Sequence, residues 1–460
     1  MMDLERLAAV LGADEVVGPA PVEVLDLAYD ARHVTQGAAF FCVPGARADG
    51  HDFAAEAVSN GAVALVVERR LPVDVPQVVV ADARAAMAVA ADELFERPTE
   101  TLQVAGVTGT SGKTTTSFLL YAILAAAGRR PGLLGTVEAR VGGERRGVAR
   151  TTPEAIDLQR LFREMLDAGD RSCAMEASSH ASELHRLDRV RFAVLVFTNL
   201  SQDHLDFHGD MESYFEAKRR LFLAEPRPRA VVNVGDEYGR RLAAELPDAA
   251  TFSIDDADRL DGIDLKLRGR FNVENALGAL VAARELGVND DSIKRGLESL
   301  RGVPGRFESV EEGQSFAVVV DYAHKPDALE KVLRAARDLA HGRVIAVVGA
   351  GGDRDRGKRP LMGRIASELA DVVIVTTDNP RSEDPRAIID EIVAGAAGDV
   401  EVEPDRAAAI GRAVELARDG DVVLIAGKGA EQGQQFADRT IPFDDREAAR
   451  EALRALGART

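Results

Sequence analysis

This sequence has no tryptophan, two cysteines and no apolar run near the roughly 20 residues a membrane span needs. Cys42 and Cys173 stand far apart, each in an apolar run, so buried free thiols are expected and no disulfide framework. Positive charge is also short: 57 Lys and Arg against 76 Asp and Glu leave a net charge of -19. A general nucleic-acid binder needs a basic surface, so no nucleic-acid partner is expected. An anionic small substrate is still compatible, because Arg354, Arg356, Lys358 and Arg359 cluster locally. The N-terminal MMDLERLAAVLGADE carries acids where a secretory leader carries basic residues. The expectation is a cytoplasmic, monomeric protein.

What is present is a regular α/β pattern. The 460 residues suggest two to four domains, and 46% hydrophobic residues suffice for packed cores. Apolar runs such as AVALVVE (62–68), LQVAGVTG (102–109), VLVFTNL (194–200), RVIAVVGA (343–350), DVVIVTTDN (371–379) and DVVLIAGKG (421–429) alternate with amphipathic helical stretches. Runs apolar on both faces suit parallel strands covered by helices. Two breaks, ERPTET (96–101) and RGVPGRFE (301–308), carry the Pro and Gly punctuation of linkers. Three domains are therefore expected: a small N-terminal α/β domain over 1–97, a central P-loop-type parallel sheet with helices over 98–302, and a Rossmann-like α/β domain over 303–460.

GVTGTSGKTTT (106–116) stands between a strand pattern and a helix pattern. Gly109 and Gly112 allow a turn whose N–H groups face phosphate oxygens, at a helix N-terminus that favours anions. Lys113 can reach the outer phosphates and the Thr114 hydroxyl can ligate magnesium. The general phosphate-loop spacing would place a glycine at Val107, so this loop is one residue type away from the common pattern.

The short loop GTSGKT resembles that of the Mur ligase family. So do ARTTPE (149–154), MEASSH (175–180), FTNLSQDHLDFHGDMESYFEAK (197–218), GRFNVENALGA (269–279), VPGRFE (303–308), VDYAHKPDAL (320–329), GGDRDRGKRPLMG (351–363), DNPRSEDP (378–385), GKGAEQGQ (427–434) and FDDREAAREAL (443–453). YDARHVTQGAAFFCVPGARADGHDFAAEA (29–57) is similar to the family's uridine-diphosphate domain, more loosely. The blocks run in order over nearly the whole chain.

The resemblance implies ATP-dependent amide formation through an acyl phosphate. Meso-diaminopimelate would join UDP-N-acetylmuramoyl-L-alanyl-D-glutamate, with Mg²⁺ assisting. It implies a catalytic set of Lys113, Glu176, His204 and Lys218. Thr114, Glu176, His204 and a carbamate on Lys218 would hold metal. The nucleotide set would be Gly109, Thr110, Ser111, Gly112, Lys113, Thr114, Thr115, Asn199, Asn272, Asn275, Arg306, Asp321 and His324. Substrate binding would fall to Ala31, Thr151, Thr152, Ser178, Arg186, Arg354, Asp378, Asn379, Arg381, Gly427 and Glu431. In DNPR, the Arg381 guanidinium suits a distal carboxylate, which favours a diamino diacid over lysine.

The chain departs from the family pattern at Ser111 (usually Asn), Ala430 (His), Lys325 (Thr), Leu184 (Gln) and Ala31 (Ser), and is short around TFSIDDADRLDGIDLKLRGR (251–270). Alternatives are a Mur-type ligase for lysine or another amino acid, and a non-catalytic scaffold. A folylpolyglutamate-synthase-like enzyme would share the central and C-terminal plan without needing 29–57. A scaffold would be expected to lose Lys113, Glu176, His204 or Lys218, and all four are present.

Overall fold

The computed structural model describes residues 1–18, 22–45 and 48–457. Ala46 and Arg47, within the 29–57 block, lie outside the described residues. The chain builds three α/β units, each on its own sheet.

The N-terminal sheet runs in the order Glu15–Val17, Gln77–Val79, Ala62–Val67, Ala38–Phe41, Asp26–Ala28, parallel except for its first pair. Its core takes Phe41, Val66 and Val78, and also Ala155 and Ile156 from the helix Ala155–Asp167 of the next unit. Tyr29 Oη donates to Asp157 at 2.6 Å and Arg160 to Asp26 at 2.9 Å, so polar contacts reinforce that apolar joint.

The central sheet has eight strands. Its order is Glu144–Arg146, Ala139–Val141, Pro131–Leu134, Ser172–Glu176, Gln103–Thr108, Phe192–Phe197, Arg229–Asn233, Ala250–Phe252. All pairs from Pro131–Leu134 onward are parallel. The hairpin 139–146 adds an antiparallel edge that double-sided apolar runs cannot announce, because its outer strand is fully exposed. Along 102–107, Ala105 and Val107 enter one apolar cluster while Leu102 and Val104 enter the other. Both faces are thus covered, as the continuous apolar run requires. The strand Gln103–Thr108 lies between Ser172–Glu176 and Phe192–Phe197; the chain first builds the strands on one side of it, then crosses from Ser172–Glu176 to Phe192–Phe197 on the other, which reverses the winding. Ligands of open α/β sheets bind at such a switch point, beyond the strands' carboxyl ends.

The C-terminal sheet runs Glu308–Ser309, Ala317–Asp321, Val422–Ala426, Val344–Val348, Val372–Val375, Glu401–Val402. Only its first pair is antiparallel. Val319 faces one core and Val318 and Val320 the other. The segment 251–270 is compact: an edge strand, the 3-10 turn Ile254–Leu260 and a short run into the helix Arg270–Glu285. Cys42 and Cys173 are buried and unpaired. Among the described residues, no helix is long and apolar enough to cross a membrane.

Candidate active site

The loop 109–112 leaves the central strand and feeds the helix Lys113–Ala126. Gly109 has φ 142° and Gly112 φ 86°, conformations that L side chains rarely adopt. A Cβ on Gly109 would stand 1.9 Å from Thr198 Oγ1, and one on Gly112 2.3 Å from Asn275 Oδ1. Both glycines are therefore required by curvature and by close approach. Ser111 is fixed through its backbone: its N–H donates to Asn199 Oδ1 at 2.9 Å, and its carbonyl accepts from Thr198 Oγ1 at 2.6 Å and Asn199 Nδ2 at 3.2 Å. Replacing the usual Asn at 111 by Ser leaves that network intact.

Lys113 Nζ donates to the carbonyls of Gly109 and Thr110, both at 2.9 Å. Burial, then the nearby Lys325, pushes its ammonium down to about 8. Lys218, 1% exposed on the helix Met211–Phe222, donates to the same Gly109 carbonyl at 3.0 Å, its nitrogen 4.6 Å from the Tyr214 ring centroid. Burial, reinforced by Lys113, holds Lys218 well below the ordinary lysine range.

Glu176 ends the strand Ser172–Glu176 and is 1% exposed. One carboxylate oxygen accepts from Thr114 Oγ1 at 3.0 Å and Thr136 N–H at 2.7 Å, the other from Thr136 Oγ1 at 3.1 Å. Arg306 reaches in from the C-terminal unit and donates to Thr114 Oγ1 at 3.0 Å. His204 caps a short helix at φ 55°, its Nε2 2.8 Å from Asp203. Burial lowers the His204 pKa and outweighs the neighbouring Asp203. Burial raises Asp203, but His204 and Lys325 overcome it and hold the carboxylate ionised.

Lys113, Thr114, Glu176, His204, Lys218 and Arg306 line a cavity of about 560 Å³ together with Thr110, Thr115, Asn199, Asn275, Thr151, Thr152, Ser178 and Arg186. The Thr152 hydroxyl donates to the Glu176 carbonyl at 2.8 Å, and Thr151 Oγ1 lies 3.0 Å from Thr136 Oγ1. Arg186 is held by Glu154 at 2.8 Å and donates to the Thr152 carbonyl at 3.1 Å. Asp321 and His324 close the cavity from the C-terminal side. Burial pushes the Asp321 carboxyl up to about 6, although the N–H groups of Phe307 and Ala323 each donate to it at 2.7 Å. Burial and the cationic Lys325 and Lys358 push His324 well below the ordinary histidine range.

A second cavity of about 530 Å³ adjoins the first, sharing His180, His204, Tyr322, His324, Lys325 and Arg354 with it. It is lined by Asp378, Asn379, Arg381, Gly427 and Glu431. Asn379 Nδ2 donates to Glu431 at 2.7 Å, and the buried Lys428 donates to Asn379 Oδ1 at 2.8 Å and Glu431 at 3.2 Å. Arg381 sits at φ 54° and donates to the Gly352 carbonyl at 2.6 Å. A Cβ on Gly427, at φ 128°, would stand 2.5 Å from Asp378 Oδ2.

Three expected residues do not join the cleft wall: Gly109 lies behind it, its carbonyl taken by Lys113 and Lys218, and Ala31 and Asn272 lie elsewhere. Ala31 is 4% exposed in the N-terminal core, with its carbonyl accepting from Asn60 Nδ2 at 2.9 Å. Asn272 lies one helical turn behind Asn275, accepting from its Nδ2 at 3.1 Å and donating to the Arg268 carbonyl at 2.7 Å. Conversely, sequence reasoning passed over Asp203, His180, Tyr322 and Lys428, which the fold brings to the cleft or beneath it. Asp203 and His180 stand inside the quoted blocks beside predicted residues, so adjacency was their only signal.

The donor set can be tested against a magnesium ion. Thr114 and Glu176 offer hard oxygens within 3.0 Å of each other, which fits Mg²⁺. Among the described residues no group of three His, Cys, Asp or Glu side chains is placed to hold a metal ion by itself. Mg²⁺ keeps waters and phosphate oxygens in its shell, so a few protein oxygens suffice to hold it.

A phosphate-type loop at a switch point, facing a cleft that a second α/β domain completes, defines a nucleotide-using enzyme. Models of the Mur ligase family match three stretches: the "Mur ligase family, catalytic domain" over 24–98, the "Mur ligase middle domain" over 107–261 and the "Mur ligase, glutamate ligase domain" over 305–429. The chain is 46% identical to the UDP-N-acetylmuramoyl-L-alanyl-D-glutamate–2,6-diaminopimelate ligase of Solibacter usitatus, covering 95% of each chain. It is 45% identical to that of Streptomyces coelicolor, covering 98% of this chain and 96% of the relative. A solved structure of a ligase of the same name is 31% identical with TM-score 0.65, over 94% of this chain and 95% of that one. The fold alone is shared with the MurF ligase of Thermotoga maritima, solved in complex with ADP, at 23% identity and TM-score 0.65 over 95% of this chain and 98% of that one. The chain belongs to the Mur ligase family.

Proposed function

We propose that this protein is an ATP-dependent amide ligase that adds meso-diaminopimelate to UDP-N-acetylmuramoyl-L-alanyl-D-glutamate in peptidoglycan precursor synthesis. The observation that carries the reading is one continuous cleft, with the phosphate loop at one end and the Asn379, Arg381 and Glu431 cluster at the other. Residues 1–97 would hold the uridine diphosphate, 98–302 the ATP and 303–460 the incoming amino acid.

The chemistry follows from the groups present. A carboxylate oxygen of the dipeptide attacks the γ-phosphorus of ATP, and the bond to the ADP oxygen breaks. The incoming amine then attacks the acyl carbon, loses a proton and expels inorganic phosphate. Phosphoryl transfer depends mainly on positioning and on compensating charge. Lys113 and Arg306 supply that charge from two domains. Asn199 and Asn275 flank the loop on its nucleotide side. Thr151, Thr152, Ser178 and Arg186 would bind the dipeptide, and Arg354, Asp378, Asn379, Arg381, Gly427 and Glu431 the amino acid.

Mg²⁺, held by Thr114, Glu176 and His204, would neutralise developing phosphate charge. Lys218 is suited to a further role. Its buried amine, depressed by its surroundings, can add to carbon dioxide, release a proton and become a carbamate. The lysine would then present anionic oxygens to metal.

The test is release of inorganic phosphate with ATP and the UDP-muramyl dipeptide, run against a panel of amino acids. Release that requires both the dipeptide and meso-diaminopimelate is expected. Release with lysine instead would move the assignment to another ligase of the family.

A further inference from the structure

Lys325 occupies an unusual place. It precedes the helix Pro326–Leu339 of the C-terminal unit, yet its ammonium forms a close ion pair with Asp203 of the central unit. The two side chains are only 14% and 13% exposed. The same Asp203 oxygen stands 2.8 Å from His204 Nε2, so one carboxylate oxygen joins a cation of one domain to the imidazole of another. A second contact ties the same two segments: Ser201 Oγ donates to Asp327 Oδ2 at 3.1 Å. Lys325 also lines both halves of the cleft, at their junction.

We propose that Lys325 is a positioning residue, whose pair with Asp203 docks the C-terminal unit on the central one and fixes the carboxylate that orients His204. The inference rests on the reading of this cleft as the active site. Docking and imidazole orientation are then linked, because one oxygen of Asp203 meets both the Lys325 ammonium and His204 Nε2. A shorter side chain at 325, such as threonine, lacks the reach. A carboxylate that orients a ligating histidine is worth about 10–100-fold in metal affinity or activity. The pair is partly buried, so bulk salt should screen it less than it screens an exposed pair.

The test compares Lys325→Thr, Lys325→Met and Lys325→Arg with the wild type as full-length enzymes. Cys42 and Cys173 are buried, so cysteines introduced at the exposed Arg227 and Asp399 can carry a fluorophore pair that reports domain separation. Thr and Met should open the pair distance and lower kcat by about 10–100-fold at saturating ATP, while Arg keeps the docked distance and most of kcat. A Met variant that keeps the docked distance, or that opens and keeps wild-type kcat, overturns the proposal. The distance is read without substrates. Loss of the functional reading, seen as a wild type without ligase activity, is therefore distinguishable from failure of the docking inference.

Discussion

Lys218 Nζ lies 3.0 Å from the Gly109 carbonyl oxygen, the same oxygen that accepts Lys113 Nζ at 2.9 Å. Two ammonium groups on one acceptor, in a buried pocket, repel each other, and burial and mutual proximity both disfavour a charged Lys218. Carbamylation would relieve this by converting one cation into an anion. Intact-mass measurement or a high-resolution density map should show an added carboxyl group on Lys218. Lys218→Ala should be inactive and regain part of its activity with added small carboxylates. Full activity of the alanine variant would sink the carbamate.

Lys113 makes its polar contacts with the carbonyls of its own loop, at Gly109 and Thr110. Lys113→Ala should therefore leave the unfolding transition close to wild type. ATP turnover should fall by at least about 10²–10³-fold, the usual cost of one preorganised donor to developing charge. Wild-type turnover in this variant would mean that the phosphates bind elsewhere.

Asp321 offers a test through pH. Burial raises its carboxyl from the ordinary 3.8 to about 6, so the fold favours the protonated form. The stability that this form contributes is complete below the unfolded value and lost as pH rises through about 6. The loss amounts to roughly 3 kcal/mol. Asp321→Asn cannot titrate. The stability of the wild type relative to this variant should fall as pH rises from about 4 to 7, measured by denaturant unfolding of the C-terminal unit at each pH. A difference independent of pH would show that Asp321 is ionised throughout.

Much of the architecture was legible because burial on both sheet faces writes itself as continuous apolar runs. Gln103–Thr108, Val344–Val348 and Val422–Ala426 all fall inside runs marked as strands. The glycine loop and the resemblance brought Lys113, Glu176, His204 and Lys218 to notice, and the fold lines one cavity with all four. Spatial convergence was not legible. Nothing in the sequence says that Lys325 meets Asp203, because that contact joins residues of two domains. Lys428 was hidden for another reason: a lysine two residues after a strand reads as solvated, whereas this one is fully buried beneath Asn379 and Glu431.

We propose that Arg381, at the wall of the second cavity, selects the incoming amino acid. Its backbone is in the left-handed region at φ 54°, which costs roughly 1–2 kcal/mol for a non-glycine residue. Its N–H donates to the Gln435 carbonyl at 3.0 Å and its guanidinium to the Gly352 carbonyl at 2.6 Å. These contacts hold the side chain at the wall of the second cavity with donors left over for a bidentate partner. The distal carboxylate of meso-diaminopimelate can pair with it, and lysine offers nothing there. Sites built around such a group reject the analogue lacking its partner by on the order of 10⁴-fold. Ala430 modifies this expectation. It stands where the family usually has histidine, and its backbone packs against Gly305, where an added Cβ would come within 2.1 Å of its nitrogen. Residue 430 thus contributes no imidazole beside Glu431, and the preference should be smaller than the full value. Arg381→Ala should lose kcat/KM for meso-diaminopimelate far more than it loses affinity for ATP, with the ratio to lysine collapsing. Measuring kcat/KM for both amino acids in the wild type and this variant decides the matter: an unchanged ratio would remove Arg381 from the specificity of the site.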